Sequence, residues 1–258
     1  MTTLSKIDDG VPCWVDSMVT SQELHHDRRA FLSALFDWTW EEGTPETGYY
    51  ALALCNGKPV MGLGIYDGAT TAAFQTYFST SDIDATIARA TELGGTSLMP
   101  VMDVMDLGRM TMVNDPEGAT FGLWQPGTFH GFGVAFEENS PGWFDHSSPD
   151  PARAADFYVA LSGHALESPD PDMRVLRNGE QWYASISESS AGEAPQWSPI
   201  YVVDSLARVH EIVRRHGGTV LVEEMPVPGS AISVFIEPTN GTTMTVMRGG
   251  AQPDEGDS

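Results

Sequence analysis

The feature that most constrains the fold is an internal repeat, in which short patterns of the first half of the chain return in the same order in the second half. Pro12–Asp16 (PCWVD) is matched by Pro141–Asp145 (PGWFD), and the Gly-Gly pair at 94–95 is matched by one at 217–218. The period is roughly 125 residues, which is too long for the stacked unit of a solenoid. Each copy is therefore predicted to be a domain.

Each copy ends in a predicted β-hairpin. In the first copy the strand-like run Met110–Val113 is followed by the turn Asp115–Gly118 and by a second strand, Ala119–Gln125. Asp can bond the backbone amides that follow it, Pro fixes φ and Gly accepts a positive φ, so this sequence favours a turn. The weaker equivalent in the second copy, residues 232–248, has Glu237 at its turn.

Hydrophobic periodicity divides each copy into two halves of one strand, one helix and three strands. In the first half, Val11–Val19 alternates like a strand, and Gln22–Phe36 has the apolar stripe of a helix. In the second half, Ser81 is predicted to cap a helix, and one strand is predicted at 96–104. The sequence thus predicts an α+β protein of four βαβββ modules, whose curved mixed sheets enclose a cavity in each of two domains, residues 10–127 and 140–250. The acidic segment 251–258 is predicted to be disordered.

Charge and composition exclude several classes of partner. The 258 residues include 13 Lys and Arg against 36 Asp and Glu, a formal charge of −23, which repels phosphate backbones and anionic membrane surfaces. Neither a nucleic acid nor a membrane is therefore expected as a partner. With no apolar leader and no long apolar run, the protein is expected to be cytoplasmic. Cys13 and Cys55 lack the spacing of a zinc or redox motif.

The module pattern, the Gly-Gly pair and the stretch GR…DPEGATFGLWQPG of the first copy resemble the vicinal oxygen chelate superfamily. That superfamily includes glyoxalase I, bleomycin-resistance proteins, fosfomycin-resistance enzymes and extradiol dioxygenases. The opening VPCWVD and the double-domain length resemble actinobacterial glyoxalase-like tandem proteins, several of which accompany polyketide antibiotic pathways. The resemblance covers roughly residues 10–250. Because this fold hosts many chemistries, the function has to be argued from the site.

The resemblance also implies where a divalent metal would be held, by His, Gln or Glu side chains of the first strand of each module and of the last strand. The matching positions are Trp14, Gln75 and Gly122 in the first copy and Trp143, Ser198 and Thr245 in the second. A catalytic metal site normally needs three imidazole or carboxylate ligands. Only Gln75 could serve as a ligand, so no metal and no other cofactor is expected.

The inner faces of the predicted sheets are rich in aromatic and thioether side chains, which suit flat polycyclic ligands. Ordinary core packing is the alternative for each of these side chains. Gly122 would leave room in the cavity wall. The candidate ligand-binding residues are Trp14, Met18, Trp38, Phe74, Gln75, Met112, Gly122, Trp124, Trp143, Trp197 and Thr245.

Asp16 and Asp145 are the candidate catalytic residues, because each follows a Trp by two residues on one strand face. Desolvation raises the pKa of a carboxyl group in an apolar cavity, which could then act as a general base or bind an amine or hydroxyl of the ligand. The alternative is a carboxylate at the rim that bonds Arg109 or a backbone amide. His146 follows Asp145 directly and should face away from the cavity.

Two functions are consistent with these features. The first, which we favour, is metal-independent binding of a hydrophobic aromatic small molecule of antibiotic or polyketide type, for resistance by sequestration or in support of a pathway enzyme. The second is an isomerase, cyclase or hydroxylase that acts on an aromatic polyketide with an Asp general base. A metal-dependent glyoxalase or dioxygenase is expected least. Because the tandem plan mimics the two-chain dimer of resistance relatives, a monomer is expected.

Overall fold

The computed structural model describes residues 6–66, 74–170 and 173–249, and in this part of the chain it forms two mixed sheets and four α-helices. The acidic segment 251–258 lies outside the described residues. None of the described helices is both long enough and apolar enough to cross a membrane.

The first copy supplies one sheet and two helices. Its first module consists of β1 (Pro12–Val19), α1 (Gln22–Phe36), β2 (Thr39–Glu41), β3 (Ala51–Cys55) and β4 (Lys58–Ile65). Its second module consists of β5 (Phe74–Ser79), α2 (Ile83–Glu92), β6 (Thr96–Ser97), β7 (Met102–Val104), β8 (Gly108–Asn114) and β9 (Thr120–Pro126).

The second copy repeats the plan. Its first module consists of β10 (Pro141–Ser148), α3 (Pro151–Ser162), β11 (Ala165–Asp170), β12 (Met173–Asn178) and β13 (Gln181–Glu188). Its second module consists of β14 (Gln196–Val203), α4 (Leu206–Arg215), β15 (Thr219–Val227), β16 (Ser230–Ile236) and β17 (Thr243–Arg248).

The two modules of each copy join edge to edge in one curled sheet. The strand order is β2-β3-β4-β1-β5-β9-β8-β6 in sheet 1, with β7 beside β8, and β11-β12-β13-β10-β14-β17-β16-β15 in sheet 2. The central pairs β1–β5 and β10–β14 are antiparallel, and parallel pairs flank them. The predicted α+β architecture of four modules is confirmed, whereas the division into domains at 127 and 140 stays a prediction.

Two local predictions need correction. The N-cap of α2 is Asp82, whose side chain accepts from the amide of Ala85, and the hydroxyl of the predicted cap Ser81 donates to Asp9 instead. The predicted strand at 96–104 is split into β6 and β7, because Pro100 between them cannot donate to a strand ladder.

The helix-covered faces of the two sheets pack against each other and form one continuous core. Phe78 of β5 meets Trp197 of β14 edge to face, with ring centroids 5.1 Å apart, and Phe36 at the end of α1 meets Tyr201 at 5.0 Å. The opposite, helix-free faces of the sheets point away from this core. We call the helix-free face of sheet 1 trough 1 and that of sheet 2 trough 2.

In each copy, an acidic residue in the turn of the last hairpin interacts with residues of the other copy. Asp115, in the β8–β9 turn, accepts hydrogen bonds from His146 Nε2 at 2.8 Å and from the Tyr158 hydroxyl at 3.0 Å. Burial alone would raise the pKa of Asp115, but the hydrogen bond and charge of His146 and two backbone amides lower it below its usual value. His146 therefore faces away from trough 2, as predicted. The equivalent turn of the second copy has the buried Glu237, whose charge acts on the buried Arg28 of α1.

Candidate ligand-binding site

Strand register decides which side chains line trough 1. On β1, Trp14 pairs with Tyr77 of β5 and Asp16 pairs with Gln75, while Tyr77 in turn pairs with Gly122 of β9. Since directly paired residues point to the same face of a sheet, these side chains share one face. The same register adds further predicted residues to this face, namely Met18, Met112 and Trp124.

A hydrogen-bonded network lies at the floor of trough 1. The Trp14 indole Nε1 donates to the Tyr50 hydroxyl at 2.8 Å, and the Tyr50 hydroxyl donates to Asp16 Oδ2 at 3.4 Å. The Tyr77 hydroxyl donates to the same oxygen, Oδ2, at 3.0 Å. Asp16 Oδ1 accepts no hydrogen bond from any described residue. Oδ2 of Asp16 is therefore hydrogen-bonded within the protein, whereas Oδ1 has no donor among the described residues.

Burial sets the protonation of this network. Asp16 is 6% exposed, and burial raises the pKa of its carboxyl group to about 7, although the hydrogen bonds from Tyr77 and Tyr50 oppose the rise. Burial also raises the pKa of both tyrosines well above its usual value, so both remain hydroxyl donors. The floor of trough 1 thus has a carboxyl group that can gain or lose a proton near neutral pH.

Glycines in neighbouring strands make room for the two tyrosines. A Cβ atom on Gly62 of β4 would lie 1.8 Å from the Tyr50 hydroxyl oxygen, and one on Gly122 would lie 2.0 Å from the Tyr77 ring. The space predicted for a ligand above Gly122 is therefore filled by Tyr77.

Half-buried apolar side chains form the rest of trough 1. Met18 and Met112 are half-buried, as is Tyr50 above the floor. One end is closed by the segment after β9, where Phe129 meets the Trp14 ring edge to face at 4.9 Å and accepts at its backbone oxygen from Trp124 Nε1 at 2.9 Å. A flat ligand would therefore rest on thioether and aromatic groups, with Asp16 beneath it.

Trough 2 contains the same unit built from different hydroxyl groups. Trp143 Nε1 donates to Ser185 Oγ at 2.8 Å, which donates to Asp145 Oδ1 at 2.5 Å. Ser187 Oγ donates to Asp145 Oδ2 at 2.7 Å, so both carboxylate oxygens have donors. Burial raises the pKa of Asp145, and the two serine hydroxyls oppose the rise. Thr245 of β17 pairs with Ile200 on this same face.

The register makes the two units equivalent. Ser185 lies directly beside Asp145 on the parallel neighbour strand, as Gly62 lies beside Asp16. In the first copy the hydroxyl comes instead from Tyr50, whose side chain reaches over Gly62. Both copies thus present a Trp–hydroxyl–Asp unit.

Three predicted ligand-binding residues lie on the helix-covered faces and need correction. Trp38 stacks on Phe36 at 4.6 Å, and the guanidinium group of Arg28 lies 4.9 Å from the centre of the Phe74 ring. Trp197 pairs with His146 of β10, whose side chain faces the core. Phe74 and Trp197 fall on the core side of their alternating strands, and Trp38, which precedes β2, is also buried in the core.

The alternative partner of Asp16, Arg109, is also elsewhere. Its guanidinium group pairs with Asp84 at 3.1 Å and Asp103 at 3.6 Å on the protein surface. Arg109 is therefore not the partner of Asp16.

The residues at the positions that the resemblance assigns to metal ligands do not fit a divalent metal centre. Of the three assigned positions in trough 1, only Gln75 has a ligand-type side chain, and its amide nitrogen donates to the backbone oxygen of Thr120 at 2.9 Å. Ser198 and Thr245 in trough 2 offer hydroxyl groups where imidazole or carboxylate is needed. In the described parts of the chain, no three His, Cys, Asp or Glu side chains are grouped so that they could hold a metal ion.

Sequence reasoning missed the hydroxyl donors of both units, namely Tyr50, Tyr77, Ser185 and Ser187. Their roles depend on the register between strands that are distant in sequence, and no local sequence pattern predicts that register. One signal was available, because Gly62 and Gly64 occupy alternate positions of a predicted strand. Glycine inside a strand often marks the close approach of another group, and here that group is Tyr50.

A separate cavity of about 200 Å³ lies between the copies, bordered by Phe78 and Phe121 of sheet 1 and by Tyr158 and Tyr183 of the second copy. Pockets for drug-sized ligands measure about 300–1,000 Å³, so this cavity is small for a polycyclic molecule. It is also separated from Asp16, which faces the opposite side of sheet 1.

Comparison with known proteins gives relatives over more than nine tenths of the chain. No protein-family model matches the sequence. A Mycobacterium tuberculosis protein named as a glyoxylase, CFP32, is 26% identical over 260 residues, covering 96% of this chain and 98% of the relative. The anthracycline biosynthesis protein DnrV of Streptomyces peucetius is 29% identical over 259 residues, covering 91% of this chain and 92% of the relative.

Two solved structures share the fold. The manganese-bound glyoxalase of Novosphingobium aromaticivorans superposes with a TM-score of 0.68 at 15% identity, covering 96% of this chain and 84% of that chain. The 2,2',3-trihydroxybiphenyl 1,2-dioxygenase of Sphingomonas wittichii superposes with a TM-score of 0.67 at 14% identity, covering 94% and 91%.

Proposed function

We propose that this chain, which has the fold of the vicinal oxygen chelate superfamily, binds a hydrophobic aromatic small molecule in trough 1 without a metal ion. The observation that carries the proposal is the composition of trough 1. A half-buried surface of Met18, Met112 and Tyr50 lies above a buried Trp–Tyr–Asp network, beside the positions that the resemblance assigns to metal ligands. Such a surface is suited to a flat ring system and has few ligands for a cation.

The relatives support the class of ligand. One of them is named for anthracycline biosynthesis, which favours an aromatic polyketide of the antibiotic type. Sequestration of that compound, or its presentation to a pathway enzyme, would be the role. The two copies already bury their helix-covered faces against each other within one chain, which supports a monomer in solution. The formal charge of −23 disfavours nucleic acid as a partner.

Tryptophan fluorescence tests the binding proposal and assigns the trough. We would titrate the protein with a panel of polycyclic arenes and repeat the titration with Trp14→Phe and Trp143→Phe, which remove the indole of trough 1 and trough 2 in turn. Quenching that is reduced by Trp14→Phe alone is expected. Quenching by no member of the panel would refute the proposal, and quenching reduced by Trp143→Phe alone would move the site to trough 2.

A second candidate function is catalysis by Asp16. The observation in its favour is that Asp16 has one oxygen without a hydrogen bond from the described residues and a pKa of about 7, which suits a general acid or base. Asp145 is less suited, since serine hydroxyls occupy both its oxygens. The test is to incubate bound arenes with the wild type and with Asp16→Asn, and to search for isomerised or hydroxylated products by chromatography and mass spectrometry. Equal product from both proteins would remove the role of Asp16.

A further inference from the structure

We propose that trough 1 recognises a carbonyl oxygen of its ligand, which accepts a hydrogen bond from Oδ1 of a protonated Asp16. This inference rests on the proposed binding of an arene in trough 1 and narrows the ligand to planar arenes with a carbonyl group, such as quinones. It assigns Asp16 as the residue that determines specificity.

The hydrogen bonds of Asp16 fix which oxygen can hold a proton. Oδ2 is the acceptor for both tyrosine hydroxyls, from Tyr77 at 3.0 Å and from Tyr50 at 3.4 Å. A hydroxyl hydrogen on Oδ2 would point at these two donors. The proton of the neutral acid therefore belongs on Oδ1, which accepts from no described residue and lies at the floor of the trough. A protonated carboxyl group has one O–H donor, so Oδ1 can donate to a ligand acceptor.

The surroundings of Asp16 favour the neutral acid. The titratable groups that face it are Tyr77 from β5 and Tyr50 from the segment before β3, and both are neutral hydroxyl donors. The adjacent strand β4 contributes Gly62 beside it, and β9 contributes Gly122 beyond Tyr77. Among the described residues, no Lys, Arg or His forms an ion pair with this carboxyl group. Burial without a cation disfavours the charged form.

The equivalent carboxylate of trough 2, Asp145, has a different set of hydrogen bonds. Asp145 accepts from Ser185 on one oxygen and from Ser187 on the other, so its hydrogen-bonding capacity toward a ligand is largely used. The same strand position thus offers a free oxygen in trough 1 and an occupied pair in trough 2.

The pH dependence of the affinity distinguishes a cationic ligand from a ligand with a carbonyl group. A cationic amine would bind the ionised carboxylate, so its affinity would rise with pH. A carbonyl oxygen needs a donor, so its affinity would be highest when Asp16 is protonated and would fall as the pH rises above the pKa of Asp16.

The experiment compares three probes of similar shape by tryptophan quenching, namely 9,10-anthraquinone, anthracene and 9-(aminomethyl)anthracene, each at pH 5.5 and pH 8.5. The wild type is expected to bind anthraquinone about tenfold more tightly than anthracene at pH 5.5, as one hydrogen bond allows, and to lose most of this preference at pH 8.5. Asp16→Asn keeps an N–H donor and is expected to keep the preference at both pH values. Asp16→Ala is expected to lose it at both. Asp103→Asn, on the surface, is the control and should behave like the wild type.

Three outcomes would contradict the inference in distinguishable ways. Equal binding of anthraquinone and anthracene, or a preference that survives Asp16→Ala, would overturn carbonyl recognition while leaving arene binding intact. Tightest binding of the aminomethyl probe, with affinity rising with pH, would replace the carbonyl by a cation. Failure of all three probes to bind would overturn the proposed function and this inference together.

Discussion

Replacing Asp16 by Asn is expected to stabilise the protein at alkaline pH. The folded state raises the pKa of Asp16 from 3.8 to about 7, so between these values the folded protein binds more protons at this residue than the unfolded chain. Stability from this group is therefore fully present below pH about 4 and is lost as the pH rises to about 7. At about 1.4 kcal/mol per pKa unit, the loss in the free energy of unfolding amounts to about 4 kcal/mol. Asparagine is neutral at every pH and can accept from Tyr77 as Asp16 does.

Urea unfolding between pH 4.5 and pH 8.5 measures this effect. The difference in unfolding free energy between Asp16→Asn and the wild type should be smallest at pH 4.5, at about 1 kcal/mol, and should grow to about 2–4 kcal/mol in favour of the variant at pH 8.5. Circular dichroism and tryptophan emission, followed together, establish that one transition is observed. Asp103→Asn should show no such trend, because this side chain is exposed. A difference that does not change with pH, or a variant that is less stable at every pH, would refute the inference that the folded state favours the protonated form of Asp16.

Three further predictions concern the junction between the copies and the floor of trough 1. Asp115→Ala leaves the buried His146 without its partner and removes the acceptor for two turn amides, so a loss of about 3–5 kcal/mol is expected in urea unfolding. Because the pKa of Asp115 is lowered, its stabilisation is expected above pH about 4 and should disappear in the same assay as the pH falls further. Gly62→Ala would place a Cβ atom 1.8 Å from the Tyr50 hydroxyl oxygen and should weaken arene binding about tenfold in a fluorescence titration. Gly57→Ala, at a hairpin turn with open space around it, should leave that binding unchanged, and equal effects of the two substitutions would contradict the role of Tyr50.

The fold could be predicted because its signals are local and occur twice. Alternating strands, an amphipathic helix and turns such as Asn56-Gly57, whose φ angles of 50° and 75° suit a two-residue hairpin, recur in each copy. The predicted resemblance to the vicinal oxygen chelate superfamily is confirmed by actinobacterial relatives that include a named glyoxylase and by the shared fold of glyoxalase and dioxygenase structures. The errors at Ser81 and Pro100 concern single hydrogen bonds at the ends of elements.

The site could be predicted only in part, because its members meet through long-range register. Trp14 and Asp16 lie two residues apart on one strand, so their common face follows from alternation alone. Trp197 lies in a strand too, but nothing in the local sequence indicates which face of that strand packs against the first copy. Tyr50 lies outside any strand, and only the space above Gly62 determines where its hydroxyl group goes.

A comparison of the two troughs supports the proposal that the ligand binds in trough 1. Each sheet keeps an indole, a hydroxyl group and a carboxyl group in the same order, although the hydroxyl comes from Tyr50 in one copy and from Ser185 in the other. Packing alone does not require this order, because an apolar residue would fill either floor at a lower desolvation cost. In trough 2 a second serine completes the hydrogen bonds of Asp145, whereas in trough 1 both tyrosines share one oxygen of Asp16. The free energy lost by burying an incompletely bonded carboxyl group is best explained by a partner that supplies the missing hydrogen bond, and the half-buried thioether wall above Asp16 is where that partner would lie.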